Sequence, residues 1–378
     1  MKVVTIPFNK PFTTGNELTY ITEACRNNRL SGDGPFTQKC QATLEKTVGC
    51  HKALLTNSCT AALEMAAILA EIGPGDEVIM PSFTFVSTAN AFVLRGGVPV
   101  FVDIRPDTLN IDESRIEQAI TPRTKAIVPV HYAGVGCEMD AIMAIAAHHK
   151  LVVIEDAAQG TRACYRGRPL GSIGHLAAVS FHETKNVISG EGGALLINDD
   201  RFIERAEIVW EKGTNRKKFF RGQVDKYSWV DIGSSFLPSE LIAAFLLAQL
   251  EQTDSITERR LELWGLYHRA LADLEARGSL RRPVVPAHCA HNAHMYYVLA
   301  RNAASRQALI AGLKKSEIDA IFHYVPLHSS PIGRKVGRTA GTIAVTDDLS
   351  ERLLRLPFWI GLEPQVERVV DRVRAIAS

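Results

Sequence analysis

Short apolar runs recur along the first half of the chain, and each run ends in polar residues, glycine or proline. The runs are nearly continuous in Val, Ile and Leu, which predicts strands buried on both faces, as in a largely parallel sheet covered by helices. Their alternation with helical patterns predicts an α/β architecture. The seven predicted strands are residues 52–55, 77–80, 99–102, 126–130, 151–154, 177–180 and 194–197.

Helical periodicity fills most of the gaps between these strands. The last two strands are an exception, because too few residues separate them for a crossover helix, so we expect them to pair antiparallel and to make the sheet mixed. The first helix is rich in Ala and Leu and is followed by Gly73-Pro74-Gly75 as a stop. The predicted helices are residues 60–72, 86–94, 114–120 and 140–148.

The pattern changes near residue 254, where a long amphipathic helix begins. This change predicts a large domain of residues 1–253 and a smaller C-terminal α+β domain of residues 254–378. The polar composition of residues 333–341 predicts a mobile loop. Further elements of the smaller domain are expected as a strand at 294–300, a helix at 305–315, a strand at 321–325 and terminal helices.

Composition narrows the class of protein. The chain has 378 residues with 43 Lys and Arg against 41 Asp and Glu, so its net charge of +2 offers no electrostatic reason to expect nucleic acid as a partner. Apolar runs are far shorter than the roughly 20 residues that cross a bilayer, and we expect neither a membrane span nor a secretion signal. The seven scattered cysteines form no CxxC pair, which favours reduced thiols in the cytoplasm.

Candidate chemistry lies just after the strands, because ligands of open α/β sheets bind at the carboxyl ends of the strands. The segment Thr56-Asn57-Ser58-Cys59-Thr60 leads from the first strand into a helix, where free N–H groups could bind a phosphate or the hydroxyls could simply cap the helix. Glu155 and Asp156 follow another strand. An acid there could bind a metal, a ribose hydroxyl or a protonated ring nitrogen, or could serve as a cap or ion pair.

Lys185 lies in the loop after strand 177–180 and precedes Gly190-Glu191-Gly192-Gly193. In a cleft this lysine would be a neutral nucleophile, whereas on the surface it would be a solvated charge. A phosphate cradle, an acid and a lysine on three strands of one sheet together match the needs of pyridoxal phosphate (PLP). Phe83 or Phe85 could stack on its ring or pack in the core.

Six stretches carry a resemblance to a known family. They are Thr56-Asn57-Ser58-Cys59-Thr60-Ala61-Ala62-Leu63, Met80-Pro81-Ser82-Phe83-Thr84-Phe85, Val130-His131-Tyr132-Ala133-Gly134, Glu155-Asp156-Ala157-Ala158-Gln159, Ser180-Phe181-His182-Glu183-Thr184-Lys185-Asn186 and residues 219–227. With them, nearly the whole chain resembles the DegT/DnrJ/EryC1/StrS family of sugar-nucleotide aminotransferases. The resemblance implies PLP fold type I, which is aspartate-aminotransferase-like, and a homodimer with shared active sites.

The resemblance also implies roles for individual residues. Lys185 would form the covalent bond to the cofactor's aldehyde, and Asp156 would pair with the pyridine nitrogen. Gln159 would contact the cofactor's phenolic oxygen, and Phe85 would stack on its ring. The phosphate would be held by the main-chain groups of Cys59 and Thr60 and by the hydroxyl of Ser180.

One position departs from the family pattern. Many relatives have a Gly-x-Asn-x-Arg segment whose Asn reaches the neighbouring subunit's cofactor, but this chain reads Gly233-Ser234-Ser235-Phe236-Leu237. Ser235 is therefore the candidate for a cofactor contact across the interface.

The implied reaction moves the amino group of L-glutamate to the C4 keto group of dTDP-4-oxo-6-deoxy-D-glucose. The product, dTDP-4-amino-4,6-dideoxy-D-galactose, would serve cell-surface polysaccharides such as lipopolysaccharide and enterobacterial common antigen. Two alternatives are a sugar-nucleotide dehydratase or lyase on the same fold, against which Lys185 argues because those relatives carry His there, and a non-catalytic regulator. Candidate substrate contacts are His182, Arg221, Lys226, His323 and His328.

The segment 288–294, His-Cys-Ala-His-Asn-Ala-His, resembles a metal-binding cluster. Its one-residue gap between Cys289 and His291 is cramped, and no second ligand pair follows at zinc-site spacing. We therefore expect no metal. The chain also lacks G-x-G-x-x-G, G-x-x-x-x-G-K-[ST] and G-x-S-x-G, which weakens the dinucleotide, P-loop and hydrolase hypotheses.

Overall fold

The computed structural model describes residues 5–377. In chain order its helices α1 to α14 are Glu17–Arg26, Pro35–Val48, Cys59–Leu69, Val86–Val93, Met139–His149, Ile203–Trp210, Arg216–Phe220, Glu240–Leu250, Thr253–Ala270, Ala272–Ala276, Ala303–Lys315, Gly333–Val336, Ala344–Arg352 and Val366–Ala377. Its strands β1 to β14 are Lys52–Thr56, Glu77–Pro81, Val98–Val102, Thr124–Ile127, Val152–Asp156, Cys164–Tyr165, Arg168–Pro169, Leu176–Ser180, Gly193–Ile197, Leu280–Arg281, Cys289–Ala290, Tyr297–Ala300, Arg338–Thr339 and Leu353–Arg355. Short 3-10 turns occupy Glu113–Arg115, Glu117–Ala119, Tyr132–Gly134, Asp200–Phe202 and Glu363–Gln365.

A mixed sheet forms the centre of the molecule, with the strand order β1-β9-β8-β5-β4-β2-β3-β13. Strand β9 runs antiparallel to both of its neighbours, and the other neighbouring strands are parallel. The predicted antiparallel pairing of the strands at 177–180 and 194–197 is confirmed. Helices cover both faces, so the α/β prediction is also confirmed.

The central sheet has eight strands rather than the predicted seven. The additional strand, β13, pairs with β3 and lies within residues 333–341, which also contain α12, so the prediction of a mobile loop is wrong. Arg338 in β13 donates two hydrogen bonds to the buried carboxylate of Glu77, at 2.6 and 3.0 Å. The polar segment 333–341 has regular structure because the charge of Arg338 pairs with Glu77, a residue far away in sequence.

Two further predictions of secondary structure are corrected. Residues 114–120 form two 3-10 turns instead of a helix, and the first of them is capped locally by the Asp112 side chain, which accepts a hydrogen bond from the N–H of Ser114. Residues 321–325 form no strand. Ile321 alone pairs among them, through a bridge to Arg355, and residues 322–326 have no regular secondary structure.

A second core lies beside the central sheet, where the sheet β10-β12-β14 packs with α9, α11 and α14. The predicted long helix begins at Thr253, and the predicted strand at 294–300 begins at Tyr297. Ile6 joins this core and bridges to Ile318, so the N-terminal segment packs with C-terminal elements. The boundary between residues 253 and 254 stays a prediction. Within residues 5–377 there is no helix with the length and apolar character needed to cross a membrane.

Candidate active site

A cleft of about 800 Å³ opens where strands of the central sheet end against the second core. Its lining includes most of the predicted cofactor residues and residues 321–325, which connect to the second core. The predicted site residues that line this cleft are Cys59, Thr60, Phe85, Asp156, Gln159, Ser180, His182, Lys185 and His323.

The N-terminus of α3 forms one end of the cleft. Ser58 caps the helix, because its hydroxyl accepts a hydrogen bond from the N–H of Ala61 at 3.1 Å. The N–H groups of Cys59 and Thr60 precede Ala61 in the first turn, where a helix has no carbonyl partners of its own. Such a terminus favours an anion.

Gly193 explains how this helix end is positioned. A Cβ atom on Gly193 would lie 2.5 Å from both the amide nitrogen of Cys59 and the carbonyl carbon of Ser58. Strand β9 therefore approaches the start of α3 more closely than any side chain permits. The glycine-rich segment after Lys185 therefore packs its backbone directly against the start of α3, the end of the cleft that suits an anion.

Asp156 ends strand β5 and is 5% exposed. Its Oδ2 accepts a hydrogen bond from Thr88 Oγ1 at 2.7 Å, and its Oδ1 accepts from the N–H of Ala158 at 3.2 Å. Thr88 Oγ1 is also 2.8 Å from Thr84 Oγ1. Because Thr88 uses its single proton on the carboxylate, Thr84 donates to Thr88. A chain of two hydroxyls therefore orients Asp156.

Lys185 lines the same cleft. Burial lowers the pKa of its ammonium, while Cys59 and Asp156 act in the opposite direction without cancelling the effect. The turn that carries the lysine is closed by hydrogen bonds from the N–H of Lys185 to His182 and from the N–H of Glu183 to Gly190. An amine whose ammonium pKa is lowered, and which an ordered turn holds in place, is suited to act as a nucleophile and as a general base.

Gln159 and Phe85 flank this centre. Gln159 Oε1 accepts from the N–H of Ala133, and its Nε2 donates to the hydroxyl of Tyr324 at 3.1 Å, which leaves one amide proton for a ligand. Phe85 is 57% exposed, with its ring 6.2 Å from that of Tyr324. An exposed ring at the wall of a cleft is available to stack on a planar ligand.

Four predicted residues do not line the cleft of this chain. Arg221 makes two hydrogen bonds to Glu207, and His328 lies between Ser82 and Asp347. Ser235 pairs with Glu211 as an isolated bridge. Lys226 follows α7 in the chain. The substrate or cofactor contacts predicted for these four residues are therefore not made within the cleft of a single chain and stay predictions.

The three histidines of segment 288–294 point to different neighbours. His288 contacts Glu138, His291 packs on the Trp264 ring, and His294 Nδ1 lies 3.0 Å from Asn186 Oδ1. No group of three or more candidate metal ligands occurs in the part of the chain that the structure describes.

Sequence reasoning missed three residues of the site, namely Thr88, Tyr324 and Arg355. Thr88 lies on α4, and its contact with Asp156 has no local signature. Arg355 ends strand β14. Because ligand-binding residues were sought at the ends of predicted strands, Arg355 would have been a candidate if this strand had been predicted. Tyr324 lies in a segment predicted as a strand, where alternation gave no reason to single it out.

The residues present fit pyridoxal phosphate. A helix N-terminus suits its phosphate, a carboxylate suits its protonated ring nitrogen, and a buried amine suits its aldehyde. All three groups line one cleft, and an exposed aromatic ring stands beside them. The fold and the cleft together define a PLP-dependent aminotransferase.

The chain belongs to the DegT/DnrJ/EryC1/StrS aminotransferase family, whose model matches residues 12–374. Among curated proteins it is 35% identical to the spore coat polysaccharide biosynthesis protein SpsC of Bacillus subtilis (strain 168), over 99% of this chain and 97% of that protein.

Two solved structures show how closely the fold is shared. One is Spr1654 from Streptococcus pneumoniae in its PLP-form, provisionally described as a sugar aminotransferase, with a TM-score of 0.90, 26% identity and 99% of each chain covered. The other is S. venezuelae DesV in complex with a ketimine intermediate, with a TM-score of 0.87, 33% identity, and 96% of this chain and 94% of that chain covered. The predicted family, enzyme class and cofactor are confirmed.

Proposed function

We propose that this enzyme transfers the amino group of L-glutamate to the C4 keto group of dTDP-4-oxo-6-deoxy-D-glucose. The product would be dTDP-4-amino-4,6-dideoxy-D-galactose, a precursor of cell-surface polysaccharide. The observation that carries the proposal is the convergence of Lys185 and Asp156 in one cleft with the N-terminus of α3. The names of the relatives support a sugar acceptor, since SpsC is a polysaccharide biosynthesis protein and Spr1654 is described as a sugar aminotransferase.

The cofactor, when bound, supplies an aldehyde carbon that accepts amines and a ring that accepts electrons. Asp156 would hold the proton on the ring nitrogen, and Thr88 keeps that carboxylate oriented. Lys185 would take the proton from the donor's α-carbon and return it to the cofactor's aldehyde carbon, and the burial that lowers the pKa of its ammonium favours this role as a base. The same two side chains serve both halves of the transfer.

The proposal includes a homodimer with shared active sites. An exposed apolar surface supports it, formed by Phe220 at 68%, Tyr227 at 54%, Trp229 at 79% and Val230 at 50% exposure. Several large apolar side chains exposed within one short segment are typical of a protein interface. Ser235 lies in the same stretch, which is consistent with a role across such an interface.

The test separates the two half-reactions by cofactor absorbance. Glutamate should convert the holoenzyme to the pyridoxamine form, and dTDP-4-oxo-6-deoxy-D-glucose should restore the pyridoxal form. A free 4-oxo-6-deoxy sugar should be a poor acceptor, because binding energy of the nucleotide positions the keto carbon.

Lys185→Ala is the matched control for this experiment, and we expect it to lose both half-reactions by at least about 1,000-fold, since it removes the nucleophile and the general base together. Restoration of the pyridoxal form by simple 2-oxo acids as efficiently as by the nucleotide sugar would contradict the proposed acceptor. Product release without any amino donor would instead indicate a dehydratase.

A further inference from the structure

The segment 288–294, which forms no metal site in the part of the chain that the structure describes, brings one of its histidines into the cleft. His294 is 7% exposed and lines the cleft together with Lys185. The other two histidines of the segment, His288 and His291, do not line it. The ring of His294 is therefore a polar group of the active site to which the transfer described above gives no role.

Hydrogen bonds fix which nitrogen of His294 carries a proton. Its Nδ1 lies 3.0 Å from Oδ1 of Asn186, and Nδ2 of the same amide donates to the carbonyl of Asn292 at 2.8 Å. The amide oxygen can only accept, so Nδ1 of His294 donates to it. A neutral imidazole has a single N–H, which leaves Nε2 as an acceptor.

The surroundings of His294 keep its ring neutral. Burial lowers the pKa of His294 well below its ordinary value. The titratable groups around the ring act in the same direction, and they are Lys185, Arg260, Arg355 and His323. Because the partner of Nδ1 is an amide and not a carboxylate, that bond does not favour an imidazolium either.

The Nε2 atom of His294 opens into the cleft. It has no hydrogen-bond partner among residues 5–377. It is nevertheless accessible, because the buried side-chain polar atoms that lack a partner in this part of the chain do not include it. Since the ring lines the cleft, this nitrogen presents its lone pair there, and the group that completes its bonding must be a hydrogen-bond donor.

The backbone that carries His294 is strained and firmly held. Ala293 has a φ of 50°, a left-handed conformation that is unfavourable for a residue with a Cβ atom. The buried guanidinium of Arg260 donates to the carbonyl of Ala293 at 3.0 Å and to the carbonyl of His294 at 2.7 Å. Strain that the surrounding structure maintains in this way is concentrated at functional sites, so we infer that it serves to orient the ring.

Two observations bring the amine of Lys185 and the ring of His294 together. Asn186, whose side chain holds the ring, directly follows Lys185 in the chain. Among the charges that lower the pKa of His294, Lys185 acts most strongly, ahead of Arg260, although Arg260 donates to the carbonyl of His294 itself. Because electrostatic effects weaken with distance, the amine of Lys185 must lie close to the ring.

We propose that His294 is a positioning residue that holds the Lys185 amine during proton transfer, through a hydrogen bond from that amine to Nε2. Lysine has a long, flexible side chain, and the ammonium formed when Lys185 takes a proton has three N–H donors. One of them bonds to Nε2, and another carries the proton that is returned. The ring accepts a hydrogen bond but takes no proton, so the proton stays on Lys185. The role rests on the proposed function only in that Lys185 acts as the base.

Variants of the PLP-loaded enzyme separate the acceptor from the packing of the ring. His294→Gln keeps a side-chain oxygen near the place of Nε2, whereas His294→Asn keeps only a group near the place of Nδ1, and His294→Leu keeps neither. His288→Gln is the control, because His288 lies in the same segment but contacts Glu138 outside the cleft. The glutamate half-reaction is followed by cofactor absorbance, with hydrogen or deuterium at the α-carbon of the donor.

We expect His294→Leu and His294→Asn to lower the maximal rate of the glutamate half-reaction about 10- to 30-fold, with the half-saturating glutamate concentration within about three-fold of the wild type. The deuterium isotope effect should rise, because proton transfer becomes more rate-limiting. His294→Gln should return the rate to within about five-fold of the wild type, since it supplies an acceptor again. His288→Gln should match the wild type in all three quantities.

Asn186→Asp tests the tautomer and the charge. A carboxylate there would raise the pKa of His294 and turn Nε2 from an acceptor into a donor below that pKa. The half-reaction should therefore be about 10-fold slower than the wild type at about pH 6.5 and recover at about pH 9, whereas the loss in His294→Leu should be the same at both. In ¹⁵N NMR of the histidine rings, assigned with His294→Leu, Nε2 should carry no proton in the wild type and should carry one in Asn186→Asp at the lower pH.

Four results would overturn the inference. They are a wild-type rate and isotope effect in correctly folded, PLP-loaded His294→Leu, a loss in His294→Gln as large as in His294→Leu, an equal loss at both pH values in Asn186→Asp, and a proton on Nε2 in the wild type. If His294→Leu does not fold, the NMR signals are assigned with His294→Gln, and the last three results decide. Failure of the proposed acceptor is separate, because no sugar nucleotide is present, and failure of Lys185 as the base would appear as activity retained by Lys185→Ala.

Discussion

Glu155 and Asp156 are consecutive residues of strand β5, yet their carboxylates lie in different surroundings. Glu155 is fully buried and accepts hydrogen bonds from His131 Nε2 and from the N–H groups of Gly171, Ile173 and Gly174, at 2.6 to 2.8 Å. Asp156, on the cleft side, accepts from two donors among residues 5–377, Thr88 and Ala158. Successive residues of a strand point to opposite faces of the sheet. Strand β5 therefore places one carboxylate in the interior that we call the packed layer and the next carboxylate in the cleft.

The same difference separates the two regions as a whole. Charged groups of the packed layer have their hydrogen bonds completed by the protein, as with Glu155, Arg260 and Glu77. In the cleft, each oxygen of Asp156 accepts one hydrogen bond, and the buried Nε of Arg355 has no hydrogen-bond partner among residues 5–377. Within strand β5, the carboxylate whose bonding the protein completes is structural, and the carboxylate that faces the cleft is the one with fewer protein donors.

Exchanging each carboxylate for its amide should separate these roles most strongly. Asp156→Asn should slow the glutamate half-reaction at least about 100-fold, since it removes the group that favours a protonated ring nitrogen. Its free energy of unfolding should change by less than about 1 kcal/mol, because few protein bonds are lost. Stopped-flow absorbance and urea unfolding measure the two quantities.

Glu155→Gln is the matched variant, and it should behave in the opposite way. Hydrogen bonds from His131 and the backbone lower the pKa of Glu155 despite the burial that raises it. The NH₂ group of the Gln side chain would face the N–H donors that now bond to the carboxylate. We expect this to lower the free energy of unfolding by about 3 kcal/mol. Equal losses of rate and stability in both variants would contradict the distinction between the two regions.

A second, smaller effect concerns acid. Hydrogen bonds from Arg338 lower the pKa of Glu77 to about 2 from its ordinary 4.5. A carboxylate with a lowered folded-state pKa stabilises the fold above its ordinary pKa, and this contribution is lost as the pH falls from 4.5 towards 2. The free energy of unfolding should drop by about 2 kcal/mol between pH 6 and pH 3 through this group.

Arg338→Gln should flatten this acid dependence in urea unfolding measured across the pH range. The control is Arg123→Gln, because Arg123 also donates to Glu77 but its side chain is 67% exposed, so its removal should matter less. If the free energy of unfolding of Arg338→Gln fell with acid pH as steeply as that of the wild type, the ion pair with Glu77 would not be what holds β13 to the sheet.

The smallest effect is expected at Thr88, a positioning residue. Thr88→Val removes the hydrogen bond to Asp156 and should slow the glutamate half-reaction about 5- to 10-fold. The pH profile of that half-reaction should shift with it, which a purely structural role would not cause, and Thr88→Ser should restore both. A change of rate in Thr88→Ser as large as in Thr88→Val would show that the hydroxyl is not responsible.

Much of the central sheet and of the cofactor site followed from sequence, because both depend on local patterns. Buried strands show as continuous apolar runs, and the residues after them, such as Asp156 and Lys185, line the cleft as expected. Strand β13 was not predicted, since its order depends on an ion pair between Arg338 and Glu77, far apart in sequence.

The same reason accounts for the missed part of the site. Arg355 ends a strand of the second core and Tyr324 packs beside Phe83 and Tyr132, so their place in the cleft with Lys185 depends on contacts between segments far apart in sequence. A short strand such as Leu353–Arg355 carries too weak a pattern to be recognised, and an orphaned donor such as Arg355 Nε is visible only when every neighbour is placed.

The position of β9 between β1 and β8 has a consequence for the order of folding. Thr56 at the start of the anion-binding turn pairs with Gly193, and Ile6 pairs with Ile318. Contacts between such distant residues require large loops to close, which slows folding. During synthesis the helix end at the start of α3 lacks its supporting strand until residue 197 has left the ribosome, so the nascent chain should not capture the cofactor before more than half of its 378 residues have been made.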